Sequence, residues 1–213
     1  MKKNAINLAA VILAGGKGMR MGGNYKQFIK IGGKPVLFYS LREFINASTV
    51  EKIIIVVPYE KINYAKNIVS RIDSSKSVAV IAGGPTRQLS VYNALKYLTR
   101  CGCDISHVMF HDAARPLVTL MLIEQIYKQA KRYDGAILGS PSADLCFHVE
   151  NLFIQRSLPA GKTFLGQTPQ CFRMKDILRA HINYENRDQN GSLDNLDLLL
   201  KSFPKAKIKM VSS

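Results

Sequence analysis

Four short segments of this 213-residue chain carry residue types and spacings that suit phosphate chemistry. The first runs Ala14-Gly15-Gly16-Lys17-Gly18-Met19-Arg20-Met21 and is followed by Lys26. Glycines between a strand and a helix let backbone N–H groups converge on phosphate oxygens. The spacing is neither G-x-G-x-x-G nor G-x-x-x-x-G-K-[ST], so it is not one of the two common nucleotide fingerprints. Arg20 offers a forked cation for phosphate charge, and Lys26 a second one for a leaving diphosphate. The plain alternative is a tight strand–helix turn bearing surface cations. Lys17 and Lys30 read as solvated.

The second segment is Gly83-Gly84-Pro85-Thr86-Arg87-Gln88-Leu89-Ser90-Val91. A Gly-Gly turn feeding a helix permits close backbone approach to a flat base. Ser90 is a hydrogen-bonding partner for base or ribose, or else a helix N-cap, a place Ser often fills. Arg87 either supports phosphate or pairs with an acidic neighbour. The third segment is His111-Asp112-Ala113-Ala114-Arg115-Pro116. A carboxylate at a strand end beside a triphosphate suits Mg²⁺, a hard cation that takes oxygen ligands. Asp112 is therefore the expected metal ligand, Ala113 and Ala114 leave room for ribose, and Arg115 braces the loop. His111 invites a general-base role, against a structural one. In the fourth segment, Gly166-Gln167-Thr168-Pro169-Gln170-Cys171-Phe172, Thr168 and Gln170 face a phosphorylated acceptor, or the segment is a plain loop into a helix around Met174 to His181. No Ser/His/Asp or Cys/His spacing suggests covalent catalysis.

The elements that must hold these segments follow from apolar periodicity. Buried strands are expected at Ala9–Leu13, Ile53–Val57, Val78–Ala82, His107–Phe110 and Ala136–Gly139. Helices are expected at Lys34–Ile45, Ile62–Ile72, Ser90–Thr99 and Thr119–Tyr133. This alternation predicts an α/β fold with a mostly parallel sheet and helices on both faces. The glycine turn, Gly83-Gly84 and Asp112 all fall at C-terminal strand ends, the rim on which such sheets bind ligands. After Pro141 the pattern changes. Residues 142–158 alternate loosely about Glu150-Asn151, a hairpin turn, and predict a two-stranded arm at about 141–162. An isolated hairpin is marginal in water, so the arm needs a partner, such as a second copy of the chain.

Composition sets the frame. Hydrophobic residues are 47% of the chain, enough for a core, and the length suits a single domain over 1–213. Lys and Arg number 30 against 15 Asp and Glu, net +15. That balance fits nucleic-acid binding or the handling of phosphorylated small molecules. The cations are dispersed and no nucleic-acid motif is present, which favours the second. The four cysteines read as reduced thiols of a cytoplasmic protein. The opening MKKNAINLAAVILAGG faintly resembles a signal peptide, but a buried first strand is the better reading, and no stretch is long enough to span a bilayer.

In order and spacing, ILAGGKGMRMG-x3-KQF, GG-x2-R-x2-S-V, HDAARP and GQTPQCF resemble the bacterial cytidylyltransferases that act on small phosphorylated polyols. The resemblance covers roughly residues 9–200. It implies a Rossmann-like nucleotidyltransferase sheet with a protruding β-arm that forms a homodimer. It also implies attack of an acceptor phosphate on the α-phosphorus of CTP, with Mg²⁺ and loss of diphosphate. By this resemblance Arg20 and Lys26 stabilise charge in catalysis. Leu13, Ala14, Gly15, Gly16, Gly18, Gly83, Gly84, Arg87, Ser90, Asp112 and Ala113 hold the nucleotide, with Asp112 on the metal. Thr168, Arg156, Lys162 and Asp194 serve the acceptor. Two branches of the family are close. Ile12–Gly18 and Phe164–Gln167 look more like the ribitol 5-phosphate branch, with the 2-C-methyl-D-erythritol 4-phosphate branch as the alternative.

Several positions depart from both branches. Leu145 stands where the arm usually carries Thr, and Ala160 where an Arg grips the acceptor phosphate, with Arg156 and Lys162 nearby to substitute. Pro85 replaces a residue with a backbone N–H, and Leu193-Asp194 replaces Thr-Asp. The sequence ends at Ser213, before a Lys-Ile-Thr segment and closing helix that relatives carry. One lost charge-assisted hydrogen bond weakens a phosphate contact by about 1.5–3 kcal/mol. These departures fall mainly on the acceptor side and leave the nucleotide side largely intact. They leave three other readings to test: a nucleotide-binding paralogue without turnover, a transferase using another nucleotide or a sugar phosphate, and a basic nucleic-acid-binding domain.

Overall fold

A computed structural model describes residues 5–16, 25–185 and 194–212. In chain order the elements are β1 (Ala5–Leu13), β2 (Lys30–Ile31), β3 (Lys34–Pro35), α1 (Val36–Asn46), β4 (Lys52–Val57), α2 (Ile62–Val69), β5 (Ser77–Ala82), α3 (Arg87–Arg100) and β6 (Asp104–Asp112). Then follow α4 (Leu120–Ala130), β7 (Gly135–Pro141), β8 (Cys146–Glu150), β9 (Phe153–Leu158), β10 (Phe164–Arg173), α5 (Met174–Glu185), α6 (Asn195–Ser202) and β11 (Ile208–Ser212).

Seven strands form one sheet in the order β11-β7-β10-β6-β1-β4-β5. All neighbours are parallel except β10, which runs antiparallel between β7 and β6. The fold is α/β with a mostly parallel sheet, as its strand–helix alternation predicts. β1 shows why the buried strands read as unbroken apolar runs: both of its faces are covered. Leu8, Ala10 and Ile12 point into a core shared with Leu37, Leu41 and Phe44 of α1 and Ile123 and Ile126 of α4. Ala9 and Val11 point into the opposite core, with Val91, Leu95 and Leu98 of α3 and Ile177 of α5.

Local chemistry shifts several expected boundaries. α1 starts at Val36, because Lys34-Pro35 pair with Lys30-Ile31 across a turn in which Gly32 and Gly33 take φ of +56° and +79°. α3 starts at Arg87, three residues before Ser90. Its N-cap is Thr86, whose Oγ1 accepts the Leu89 N–H at 3.1 Å, so Ser90 does not cap this helix. α2 and α4 end earlier than expected, at Val69 and Ala130. The segment Gly166–Phe172 lies within a ten-residue strand, not in a loop.

The arm is the hairpin β8–β9. Its turn is Asn151-Leu152, with φ of +49° and +67°, and Glu150 remains in the strand opposite Phe153. Positive φ at both central residues matches the turn that follows strand twist. The base is closed where the Ser142 amide donates to the Thr163 carbonyl at 2.9 Å. Leu145, Phe147, Val149, Leu152, Phe153 and Ile154 are all exposed on it. No helix among the described residues is long and apolar enough to cross a membrane.

Candidate active site

β1 and β6 end side by side. Leu13 is the register partner of Asp112, and the Ala113 amide donates to the Leu13 carbonyl at 2.9 Å. On the other flank the Ala14 amide donates to the Val56 carbonyl at 2.7 Å, and the Gly83 amide to the Val57 carbonyl at 2.8 Å. These bonds bring Ala14-Gly15-Gly16, Gly83-Gly84 and Asp112-Ala113 to one rim. The strand order reverses here: the chain leaves β1 for β4 and β5 on one side, then returns as β6 on the other. Open α/β sheets take their ligands in the crevice at such a point.

Each turn on the rim is held from below. Gln27 is buried, and its amide donates to the carbonyls of Ala14 at 2.6 Å and Gly16 at 3.1 Å. Ser90 Oγ accepts the Gly84 amide at 3.0 Å and donates to the Thr86 carbonyl at 2.9 Å. A Cβ on Gly83 would stand 2.8 Å from Ser90 Oγ, and one on Gly84 2.5 Å from Leu89 Cβ. Only glycine permits that approach. The Ser90 hydroxyl thus shapes the Gly-Gly turn.

Beside the rim lies a cavity of about 280 Å³, lined by Arg87, Asp112, Arg115, Gln167, Thr168, Gln170 and Asp194, among others. That is close to the lower end for ligand pockets. Charge alternates along it. An Arg87 guanidinium nitrogen lies 3.5 Å from Asp112 Oδ1 and another 3.8 Å from Asp194 Oδ1, while Arg115 Nε lies 3.9 Å from Asp112 Oδ2. All four side chains are one-third to one-half exposed, so these pairs add little stability. What they do is keep two cations and two carboxylates at the mouth of one small cavity.

Behind Asp112 runs a buried relay. The Asp112 backbone N–H donates to Thr168 Oγ1 at 3.1 Å, and Thr168 Oγ1 lies 3.3 Å from His111 Nδ1. His111 Nε2 lies 3.1 Å from the Arg115 carbonyl, which only accepts. The network therefore assigns the proton to Nε2 and makes Nδ1 the acceptor from Thr168. Burial lowers the His111 pKa to about 4, so the ring is neutral and spoken for at both nitrogens. That excludes the general-base role and leaves the structural one. A second relay supports Asp194: Gln170 donates to its Oδ2 at 3.0 Å, Asn195 donates to Gln170 at 3.5 Å, and buried His181 Nε2 lies 3.3 Å from Asn195 Oδ1. Burial lowers the His181 pKa to about 4 as well.

The structure thus gathers Leu13, Ala14, Gly15, Gly16, Gly83, Gly84, Arg87, Ser90, Asp112 and Ala113 at one rim, with Thr168 and Asp194 in the adjoining cavity. Lys26 opens the short turn that carries Gln27. Gly18 and Arg20 lie outside the described residues. Arg156 and Lys162 do not join the cavity: both are exposed, Arg156 opposite His148 on the arm and Lys162 just beyond β9. Gln27, His181 and Asn195 escape a reading of the sequence, since a buried polar brace looks like any surface amide or imidazole. Asp197 also lines the cavity, and there a signal exists. Asp194-x-x-Asp197 is a capping-box spacing, realised at the start of α6 by Leu196 N–H to Asp194 and Asp194 N–H to Asp197. Among the described residues, no three His, Cys, Asp or Glu side chains gather as a metal site.

Residues 8–207 match the family model described as IspD, 2-C-methyl-D-erythritol 4-phosphate cytidylyltransferase. A Clostridium acetobutylicum protein of that name is 39% identical over 179 residues, covering 83% of this chain and 76% of its own. One from Clostridium botulinum (strain Loch Maree) is 34% identical over 200 residues, covering 93% and 84%. The crystal structure of 4-diphosphocytidyl-2C-methyl-D-erythritol synthase from Anaerococcus prevotii superimposes with a TM-score of 0.85 over 97% of this chain and 89% of that one, at 23% identity.

Proposed function

Since the chain belongs to the 2-C-methyl-D-erythritol 4-phosphate cytidylyltransferase family, we propose that it transfers the cytidylyl group of CTP to 2-C-methyl-D-erythritol 4-phosphate and releases diphosphate. The family's name and its curated relatives replace the ribitol branch, expected from Ile12–Gly18 and Phe164–Gln167, with the other one. The shared opening motifs set the nucleotide half of the site and so do not separate the branches.

The observation that carries the proposal is the pairing of Leu13 with Asp112. It sets a glycine turn and a carboxylate on either side of one crevice, next to a cavity of alternating charge. In this reading the Gly15-Gly16 and Gly83-Gly84 turns receive the triphosphate and the cytosine ring. Lys26 and Arg20 neutralise the charge that builds on the phosphates as an acceptor phosphate oxygen attacks the α-phosphorus. The P–O bond to the leaving diphosphate breaks as the new one forms. Such chemistry is positioning and charge stabilisation and needs no covalent step on the protein.

Asp112 fits Mg²⁺. The cation needs only one or two carboxylates when phosphate oxygens and water fill its other positions, and Asp112 is partly exposed at the mouth of the cavity. When bound, the ion supplies charge neutralisation on the triphosphate. Asp112 would hold it, and Arg87 and Arg115, 3.5 and 3.9 Å from its two oxygens, orient the carboxylate.

Thr168, Gln170 and Asp194 face the acceptor, whose hydroxyls suit the neutral and anionic oxygens there. Arg156 and Lys162 reach no part of the cavity of their own chain, so any contact with the acceptor phosphate comes through a partner's arm. We therefore propose a homodimer built on the exposed apolar residues of β8–β9, and a cytoplasmic protein whose residues 1–213 form a single domain carrying that arm. A matrix of nucleotides against polyol phosphates, read as diphosphate released, tests the function. CTP with 2-C-methyl-D-erythritol 4-phosphate should give product in the presence of Mg²⁺. Binding of CTP with no product from any acceptor overturns turnover, and product from ribitol 5-phosphate alone overturns the acceptor. Lys26→Ala should cut turnover about a hundredfold or more, as loss of a charge-stabilising group does.

A further inference from the structure

We infer that residues 25–27 form a two-sided anchor for the phosphate-binding machinery, with Gln27, Tyr25 and Glu60 as positioning residues. The inference rests on the role of Lys26 proposed above. Lys26 lies between two residues that are tied in opposite directions. On one side, both donors of the buried Gln27 amide are used on the glycine turn, at the carbonyls of Ala14 and Gly16. A planar trans peptide points its C=O and N–H in opposite directions. With the Ala14 carbonyl drawn toward Gln27, the Gly15 N–H is turned away from it, and the carbonyl oxygen that would repel an anion is withdrawn.

On the other side, the Tyr25 hydroxyl donates to Glu60 Oε1 at 2.5 Å, in the connection between β4 and α2. The bond raises the pKa of the phenol, which stays a donor at neutral pH. Lys61 Nζ stands 5.4 Å over the Tyr25 ring. The same ring meets Phe28 edge-on at 6.0 Å, and Phe28 meets Tyr64 of α2 at 5.3 Å. An exposed tyrosine–glutamate pair adds little stability by itself. Its consequence is geometric: the backbone of Lys26 is pinned to the β1 turn by the next residue and to the β4–α2 connection by the previous one. A flexible four-carbon side chain then starts from a fixed point near the rim.

The test uses the full-length protein. Gln27→Met keeps the side-chain length and removes both donors, so CTP affinity measured by calorimetry should fall about tenfold. In Gln27→Glu only the neutral acid can donate to the Ala14 carbonyl, so CTP binding should strengthen as pH falls from 7 to 5, a trend absent from the unmodified protein. Tyr25→Phe keeps the aromatic contacts and removes the hydroxyl. It should lower kcat about three- to tenfold with KM for CTP and Tm unchanged, while Glu60→Gln alone, whose amide oxygen still accepts from the Tyr25 phenol, should retain most of the rate. The anchor is overturned if Gln27→Met binds CTP within twofold of the unmodified protein, if Gln27→Glu shows no acid strengthening, or if Tyr25→Phe leaves kcat unchanged. Should Lys26→Ala retain full turnover, the catalytic assignment of Lys26 fails, while the CTP affinities of the Gln27 variants still decide the inner half of the anchor.

Discussion

Thr168 accepts the backbone N–H of Asp112 at 3.1 Å, although 56 residues separate them. The bond crosses from the antiparallel strand β10 to the tip of β6, and the same hydroxyl continues to His111 Nδ1. The backbone of the carboxylate residue expected to meet the metal is thus held in place by a residue of β10. The residues proposed for the nucleotide and for the acceptor thus share one hydrogen-bond chain.

Thr168→Val removes that hydroxyl and keeps the shape. It leaves the Asp112 N–H and His111 Nδ1 without their partner, at a cost of about 1–3 kcal/mol in stability. Urea unfolding should show that loss, and diphosphate release should fall with it. A variant as stable and as active as the unmodified chain would mean that the relay does not position Asp112.

Acid should destabilise the fold in a defined window. His111 and His181 are each lowered from an ordinary value of 6.5 to about 4 by burial. Between those values the unfolded chain binds protons that the folded chain does not, so stability is present above about pH 6.5 and is lost as pH falls through about 4. Each ring contributes on the order of 3 kcal/mol across that window. Replacing both with Gln should flatten the dependence of unfolding free energy on pH between 6.5 and 4, and an unchanged slope would refute the assignment.

Arg87 bridges two carboxylates at the cavity mouth. Because all three groups are partly exposed, Arg87→Gln should change unfolding free energy by less than about 1 kcal/mol. CTP affinity should nevertheless drop by about tenfold, since the guanidinium proposed to meet the triphosphate is lost. Calorimetric titration with CTP separates the two effects, and equal affinity would remove Arg87 from the nucleotide site.

The arm carries its apolar side chains to solvent, Leu152 at 96% and Phe153 at 73% exposure. Leu152→Asp with Phe153→Asp should convert a dimer into a monomer by analytical ultracentrifugation and lower activity at dilute enzyme. A chain that sediments as a monomer before mutation would end the dimer proposal.

The acceptor side separates what each level of description decides. The strands at Ala9–Leu13 and Ile53–Val57, the rim position of the glycine turns and the place of Asp112 were legible in the residues, because buried parallel strands are continuous apolar runs and their ends are marked by Gly, Pro or Asp. That is local information: one strand, one turn, one cap. Ser90 shows its limit. A serine near a helix start reads as a cap, yet Thr86 takes that place and Ser90 turns back on Gly84, a choice made by the approach of two loops. Gln27, His181 and Asn195 carried no signal at all, since an amide bracing a carbonyl and an amide in water have the same letter. The antiparallel insertion of β10 was equally silent: only the completed sheet places it between β6 and β7, and only that placement brings Thr168 to Asp112. The sequence by itself determined which residues reach the rim, because motif and strand end are contiguous in the chain. Tertiary structure decided which polar atoms remain available for it, because hydrogen-bond partners distant in sequence are assigned only when the chain folds.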